Sequence, residues 1–275
     1  MEIRKLNSLR GLAALIVVVS HFSNQTGFLG GMLGTGGGQF GVMLFFLLSG
    51  FLMGVLYLSR PLTVVQLRDY AAARFARVVP LFAVVVLASW LVLGLGLGQL
   101  LYAIPGWKAA LSHLLLLRGV SVLWTIPPEI QFYLLFVGFW WLWHVSRPGC
   151  YAALAASVLV LAVLGFPRPS GQLFGLPYDF SLPQTAAFFA SGLVMGSLYQ
   201  RLRLPRVLVR HVNVAVLLVL PLLFPEIFLA LTGAQHRSWQ EPGILLVMSV
   251  VFFMLGGETV ELEGSSMEYI LLMAR

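Results

Sequence analysis

The sequence predicts an all-α fold: a polytopic bundle of about eight transmembrane helices with its N-terminus in the cytoplasm. Three observations predict it. Hydrophobic residues make up 59% of the 275 and charged residues only 10%, beyond what a soluble core-forming domain needs. The apolar residues fall into blocks, most of them near the roughly 20 residues that cross a bilayer. The cations gather in alternate loops, which sets an orientation. The whole chain, 1–275, reads as one membrane-embedded domain with an atypical tail over 257–275.

Composition also excludes function classes. The excess of 17 Lys and Arg over 10 Asp and Glu reports membrane orientation here, so no nucleic-acid partner is expected. A single cysteine, Cys150, leaves no disulfide framework and no thiol cluster for a metal. No zinc-ligand spacing and no Gly-x-Ser-x-Gly elbow occurs either.

The spans are expected at 6–23, 40–59, 78–102, 123–145, 150–166, 184–200, 212–232 and 243–257. The fifth and last are short, and the seventh carries Pro221 and Pro225. The first follows Arg4, Lys5 and Arg10 as a signal peptide would, but no small-residue cleavage site follows it, so it is expected to be retained. With the N-terminus inside, the inner loops hold Arg4, Lys5, Arg10, Arg60, Arg68, Arg74, Arg77, Arg147, Arg201, Arg203, Arg206 and Arg210. The outer loops hold Lys108, Arg118, Arg168 and Arg237. That asymmetry is what the positive-inside rule expects of a bacterial cytoplasmic membrane protein.

Within the first span, Arg10 and His21 are eleven positions apart. At about 100° per residue they share a helix face, about 16 Å apart along the axis. An ionisable residue that deep in an apolar helix is a functional candidate; the alternative is a core histidine bonded to a neighbouring helix. The loop Phe28 to Phe40 is mostly glycine and small residues. Its Gly36-x-Gly38-x-x-Gly41 pattern lacks a preceding strand, so flexible backbone near a pocket is expected there and not a dinucleotide site. Gly50-x-x-x-Gly54 in the second span and Gly192-x-x-x-Gly196 in the sixth are close-packing signals.

Arg74 and Arg77, three positions apart, are expected to project from one face into the cytoplasmic interface. Arginine forks suit phosphates; the alternative is contact with anionic lipid headgroups. The piece Trp107 to Leu117 reads as interfacial or re-entrant. The fourth span opens with Pro127-Pro128, directly followed by Glu129 and then Gln131 and Tyr133. Exposed carbonyls at such a point are tolerable only beside protein or a watery cavity. Glu129 and His21 both fall in the outer half of the membrane and could meet; the alternative is that Glu129 caps its own helix. The remaining histidines, His113, His144, His211 and His236, sit near span ends or in loops and read as interfacial.

Four ordered motifs now carry a resemblance. They are Asn7-Ser8-Leu9-Arg10-Gly11-Leu12-Ala13-Ala14 running to His21; Gly41-Val42-x-Leu44-Phe45-Phe46-x-Leu48-Ser49-Gly50-Phe51; Arg74-x-x-Arg77-x-x-Pro80; and Leu123-Trp124-x-x-x-x-Glu129-x-Gln131-Phe132-Tyr133. Together, over about the first half of the chain, they resemble membrane acyltransferase family 3. The resemblance implies a bundle of membrane helices that moves an acyl group, acetyl above all, from cytoplasmic acyl-coenzyme A to a hydroxyl. The acceptor it implies is a carbohydrate of the cell envelope or a lipid-linked glycan. It further implies that Arg10 and His21 match the first-helix motif, Arg74 and Arg77 the arginine pair, and Glu129 the family's carboxylate. Two departures stand out. Met43 occupies a position where the family commonly has aspartate, and beyond Gly256 the chain turns acidic and irregular where members close with further spans. A truncated or altered C-terminus is expected on that ground.

The chemistry then follows from a thioester. A hydroxyl needs a base within hydrogen-bond reach as it attacks the carbonyl, and an imidazole kept neutral by desolvation can serve. His21 is the expected base, Glu129 its orienting carboxylate, and Arg10 lines the path. Arg74 and Arg77 are expected to anchor the coenzyme A phosphates, with no metal involved. Two other classes remain compatible with the residues. A transporter also shows broken helices and intramembrane charge, although the two halves of this chain carry no matching interrupted spans. A truncated acyltransferase homologue without activity is the other.

Overall fold

A computed structural model describes residues 4–98, 102–199, 203–205, 215, 218, 220–235, 244–245, 247–250, 252 and 258–260. The helices are α1 (Arg4–Thr26), α2 (Gly37–Tyr57), α3 (Val64–Gly94), α4 (Gly106–Leu114), α5 (Ile126–Val145), α6 (Arg147–Val163), α7 (Leu182–Leu198) and α8 (Pro225–Thr232). Short strands β1 (Ser170–Leu173) and β2 (Leu176–Asp179) form an antiparallel hairpin. β3 (Arg203–Pro205) pairs in parallel with β4 (Glu258–Val260). The chain divides into two units: Met1–Leu48 with Val194–Arg275, and Ser49–Leu193.

In the first unit, α1 buries Leu6, Leu9, Ala13, Ile16, Ser20 and Ser23, a stripe at spacings of three and four. Leu15, Val18 and Phe22 are exposed, as a lipid-facing surface requires. The start of α2 lies close against α1, because a Cβ at Gly41 would strike the Ala13 carbonyl and the Val17 side chain. Ser20 fastens the glycine loop: its Oγ donates to the Gly34 carbonyl at 2.7 Å and accepts the Gly38 N–H at 2.8 Å. The backbone at Gly36, φ 76°, enters α2 through a conformation that side chains disfavour. α8 starts on Pro225 and ends at Gly233, φ 71°, the usual asymmetry of helix punctuation.

In the second unit, Thr63 caps α3 by accepting the Gln66 N–H, and Ser146 caps α6 by accepting the Gly149 N–H. Pro127 and Pro128 stand in the first turn of α5, where the missing donors would have no intrahelical partner anyway. α2 meets α7 at Gly50, where a Cβ would collide with the Phe189 carbonyl oxygen and lie 3.0 Å from the Leu193 nitrogen. This is the backbone approach that small residues permit between helices in lipid. Phe132 of α5 stacks on Phe189 of α7 with centroids 4.3 Å apart. A second cluster joins Phe82 and Val86 of α3 to Ile104, Ala109, Ala110 and Leu123.

Among the described residues, four helices are long and apolar enough to cross a membrane: Leu6–Thr26, Gly37–Tyr57, Val64–Gly94 and Ser121–Val145. α2 is the enclosed one, with 72% of its apolar window buried against 17% for α3. α3 instead exposes Leu81, Val84, Leu87 and Leu91. The protein is therefore a helical membrane protein.

Three expectations are revised. The third span, expected at 78–102, belongs to a helix that begins at Val64 and runs through Pro80 to Gly94. The arginine segment is thus helical and continuous with the apolar stretch that follows it, since a helix can run through a proline, bending there without ending. The seventh span, expected at 212–232, is interrupted between a 3-10 turn at Leu220–Leu223 and α8, with Phe224 extended between them; residues 212–214, 216–217 and 219 lie outside the described residues. The segment 170–179, expected as a loop, holds the β1–β2 hairpin. The described part of the eighth span, within 244–252, is helical. Its remainder, and the tail beyond 260, lie outside the described residues.

Candidate active site

Three helices of the second unit assemble a polar cluster in an otherwise aromatic interior. α5 brings Glu129 and, four residues later on the same face, Tyr133. The Tyr133 hydroxyl donates to Glu129 Oε1 in a short hydrogen bond, and Ser49 Oγ of α2 donates to the same oxygen at 3.2 Å. Neither donor is a backbone N–H of α5, so the carboxylate is held across helices and not as a simple cap. Its Oε2 makes no hydrogen bond among the described residues.

Arg74 of α3 adjoins this cluster. Its guanidinium carbon lies 5.4 Å from the ring centroids of Tyr57 and Tyr133 and 6.0 Å from that of Tyr70, within range of cation–π attraction. The residue is 8% exposed, and its Nε is buried without a hydrogen-bond partner. The Tyr70 hydroxyl donates to the Tyr133 carbonyl at 2.9 Å, locking the backbone that carries Tyr133. Tyr57 and Tyr70 pack edge to face or tilted against each other and against Phe136 and Trp140, which stack on one another.

The structure thus brings two of the expected residues, Arg74 and Glu129, to either side of one tyrosine. It separates the arginine pair: Arg74 points inward and Arg77 is exposed. Three residues turn a helix by about 300°, so the two side chains diverge by about 60°, enough at a helix edge to put one inside and one out. Because α3 starts at Val64, Arg74 stands about 15 Å along that helix, in its N-terminal half. Arg10 and His21 belong to the first unit. α1 is continuous from Arg4 to Thr26, which keeps both on one side of that helix. Arg10 is half-buried and donates to Asn7 Oδ1 at 3.3 Å, while His21 is exposed.

Sequence reasoning missed Ser49, Tyr57 and Tyr70, and gave Tyr133 no task. Tyr133 carried a signal, the four-residue spacing from a carboxylate. The others carried none, since a serine beside a glycine in an apolar helix commonly serves packing.

Elsewhere in the unit, His113 of α4 is 1% exposed. Its Nδ1–H donates to the Ala109 carbonyl at 2.7 Å and its Nε2 accepts the Val120 N–H at 3.1 Å. Burial, set against the Ala109 hydrogen bond and aided by the Arg118 charge, holds this imidazole below its ordinary proton affinity. It is buried, not interfacial as expected, because it closes the loop after α4 onto the helix. His144 Nε2 lies 2.7 Å from the Arg60 carbonyl; His211 and His236 lie outside the described residues.

Comparison with known proteins adds one finding. No curated protein and no solved structure matches the chain. A family profile described as an acyltransferase domain, acyltransferase family 3, matches residues 3–260, which takes in α1, α2, α3, α5 and every residue of the polar cluster. The chain belongs to acyltransferase family 3 and is a membrane acyltransferase.

Proposed function

We propose that this protein transfers an acyl group, acetyl in the first instance, from cytoplasmic acyl-coenzyme A to a hydroxyl of a carbohydrate or lipid-linked glycan. In this proposal it crosses a bacterial cytoplasmic membrane about eight times, N-terminus inside. The observation that carries it is the Glu129–Tyr133–Arg74 cluster: a carboxylate with one oxygen anchored and one free, beside a buried cation whose Nε has no partner. A buried nitrogen of this kind is ordinarily hydrogen-bonded, and the Arg74 Nε has no partner among the described residues. A buried guanidinium with a donor to spare fits an anionic ligand, and the phosphates of a coenzyme A donor are such a ligand.

The acceptor oxygen attacks the thioester carbonyl carbon while His21 takes its proton. The carbon–sulfur bond then breaks, and the proton passes to the departing sulfur, leaving an ester and free coenzyme A. Glu129 balances the transient imidazolium, Arg10 lines the approach, and Arg74 and Arg77 hold the donor. Membranes containing the full chain, supplied with labelled acetyl-coenzyme A and envelope glycans, are expected to yield label in base-labile ester. No label in ester overturns the proposal. His21→Ala is expected to abolish transfer with insertion intact; retained transfer removes His21 from the reaction. Arg74→Ala and Arg77→Ala are expected to weaken donor binding more than acceptor binding, and unchanged donor affinity in a titration removes them from the donor site.

A further inference from the structure

We propose that Tyr133 and Ser49 are positioning residues for Glu129: they fix its Oε1 from two helices so that Oε2 is the oxygen left to face the reacting groups. The identity of those groups rests on the acyl-transfer proposal above; the anchoring of Oε1 does not.

The two oxygens of a carboxylate are chemically equivalent, and rotation about the bond to the carboxyl carbon exchanges them. A group that must meet one defined oxygen needs that exchange stopped. Here both donors converge on Oε1, which is the arrangement that removes the equivalence. A pair of donors split between the two oxygens would have left them alike.

The donors are themselves held. Tyr133 cannot swing away, because its ring lies against the Arg74 guanidinium at 5.4 Å and its carbonyl accepts the Tyr70 hydroxyl at 2.9 Å. Ser49 adjoins Gly50, whose lack of a side chain lets α2 sit on the α7 backbone at Phe189. The carboxylate is therefore referenced to a rigid frame of α2, α3, α5 and α7. Site residues held by packing in this way keep the geometry that proton transfer demands.

The test reads Glu129 directly. In the purified full-length chain in lipid nanodiscs, with glutamate labelled at the side-chain carboxyl carbon, the infrared difference between the protein and its Glu129→Gln variant isolates the Glu129 band. Tyr133→Phe keeps the ring over Arg74 and deletes only the hydroxyl; it is expected to move that band. Ser49→Ala moves it less and in the same direction, and Ser49→Thr, which keeps a hydroxyl, restores it. A Glu129 band that stays put in Tyr133→Phe overturns the anchoring. Should that variant not fold, the Ser49→Ala and Ser49→Thr pair decides: no shift, or a shift threonine does not reverse, overturns it equally.

Kinetics provide the second arm. Tyr133→Phe is expected to lower kcat about tenfold to a hundredfold, the range of one hydrogen bond to a charged group, with the KM for acetyl-coenzyme A unchanged. In a Glu129→Gln background the same substitution is expected to do nothing further, because its action runs through that carboxylate. An undiminished loss in that background overturns the positioning role. A wild-type chain that moves no acyl group sinks the proposed reaction instead, while the infrared band still decides the anchoring.

Discussion

Two polar side chains of the second unit, one buried and one half-buried, are completed in opposite ways. At His113 both ring nitrogens are occupied, one donating to Ala109 and one accepting from Val120, and the ring has nothing left to offer. At Glu129 two donors crowd one oxygen and the other is unspent, with the unpartnered Nε of Arg74 close by. Desolvating a polar group costs free energy that only hydrogen bonds recover. His113 recovers it at both nitrogens, whereas the half-buried Glu129 keeps one oxygen without a donor among the described residues. Burial alone therefore does not mark a functional residue. The accounting of its hydrogen bonds does.

The sharpest way to break this comparison is at the open group. Glu129→Gln keeps the size of the side chain and its capacity to accept from Tyr133 and Ser49, so the fold is expected to survive. Acyl transfer is expected to fall by about two to four orders of magnitude, the usual worth of a proton-handling side chain. Transfer within threefold of wild type would put Glu129 in the same class as His113.

The closed group should answer in stability and not in rate. His113→Ala leaves the Val120 N–H and the Ala109 carbonyl without the ring, and about 1–3 kcal/mol of stability is expected to go; thermal unfolding in detergent measures it. Its pH dependence has a definite sign. The folded imidazole takes a proton less readily than the unfolded one, which titrates near about 6.5. Below that value the unfolded state binds more protons, so stability is lost as pH falls from about 6.5 toward the depressed folded value. In His113→Ala that slope is expected to disappear; its persistence would assign it to other groups.

The smallest effect is expected at a pair that is complete but not buried. Arg168 and Asp179 form a two-pronged ion pair at 2.6 Å, with side chains 39% and 28% exposed. Arg168→Ala is expected to cost less than about 1 kcal/mol, because solvent screens such pairs, and to shift the unfolding temperature less than His113→Ala does. A larger loss would show that the hairpin it braces matters more to the unit than its exposure suggests.

Much of the helical layout was legible in the residues. Apolar blocks read well because every helix that crosses lipid must satisfy its own backbone, so length and hydropathy together leave few alternatives. The hairpin at 170–179 was not legible, since its strands are four residues long and carry Pro177 within them. Pro80 misled in the other direction: it marks no helix boundary, and α3 starts at Val64 and carries Arg74 into the protein interior. At the site, the residue types of Arg74 and Glu129 were readable from motif spacing, but their partners were not.

What the sequence determined by itself is a membrane helix bundle of acyltransferase family 3, because hydropathy and ordered motifs are properties of the chain read along its length. What only the tertiary structure decided is which polar atoms are spent. Ser49 and Glu129 are 80 positions apart and Tyr57 and Tyr133 meet Arg74 from different helices. Hydrogen bonding and desolvation act over a few ångströms in space, and no spacing along the chain reports a contact that helix packing makes.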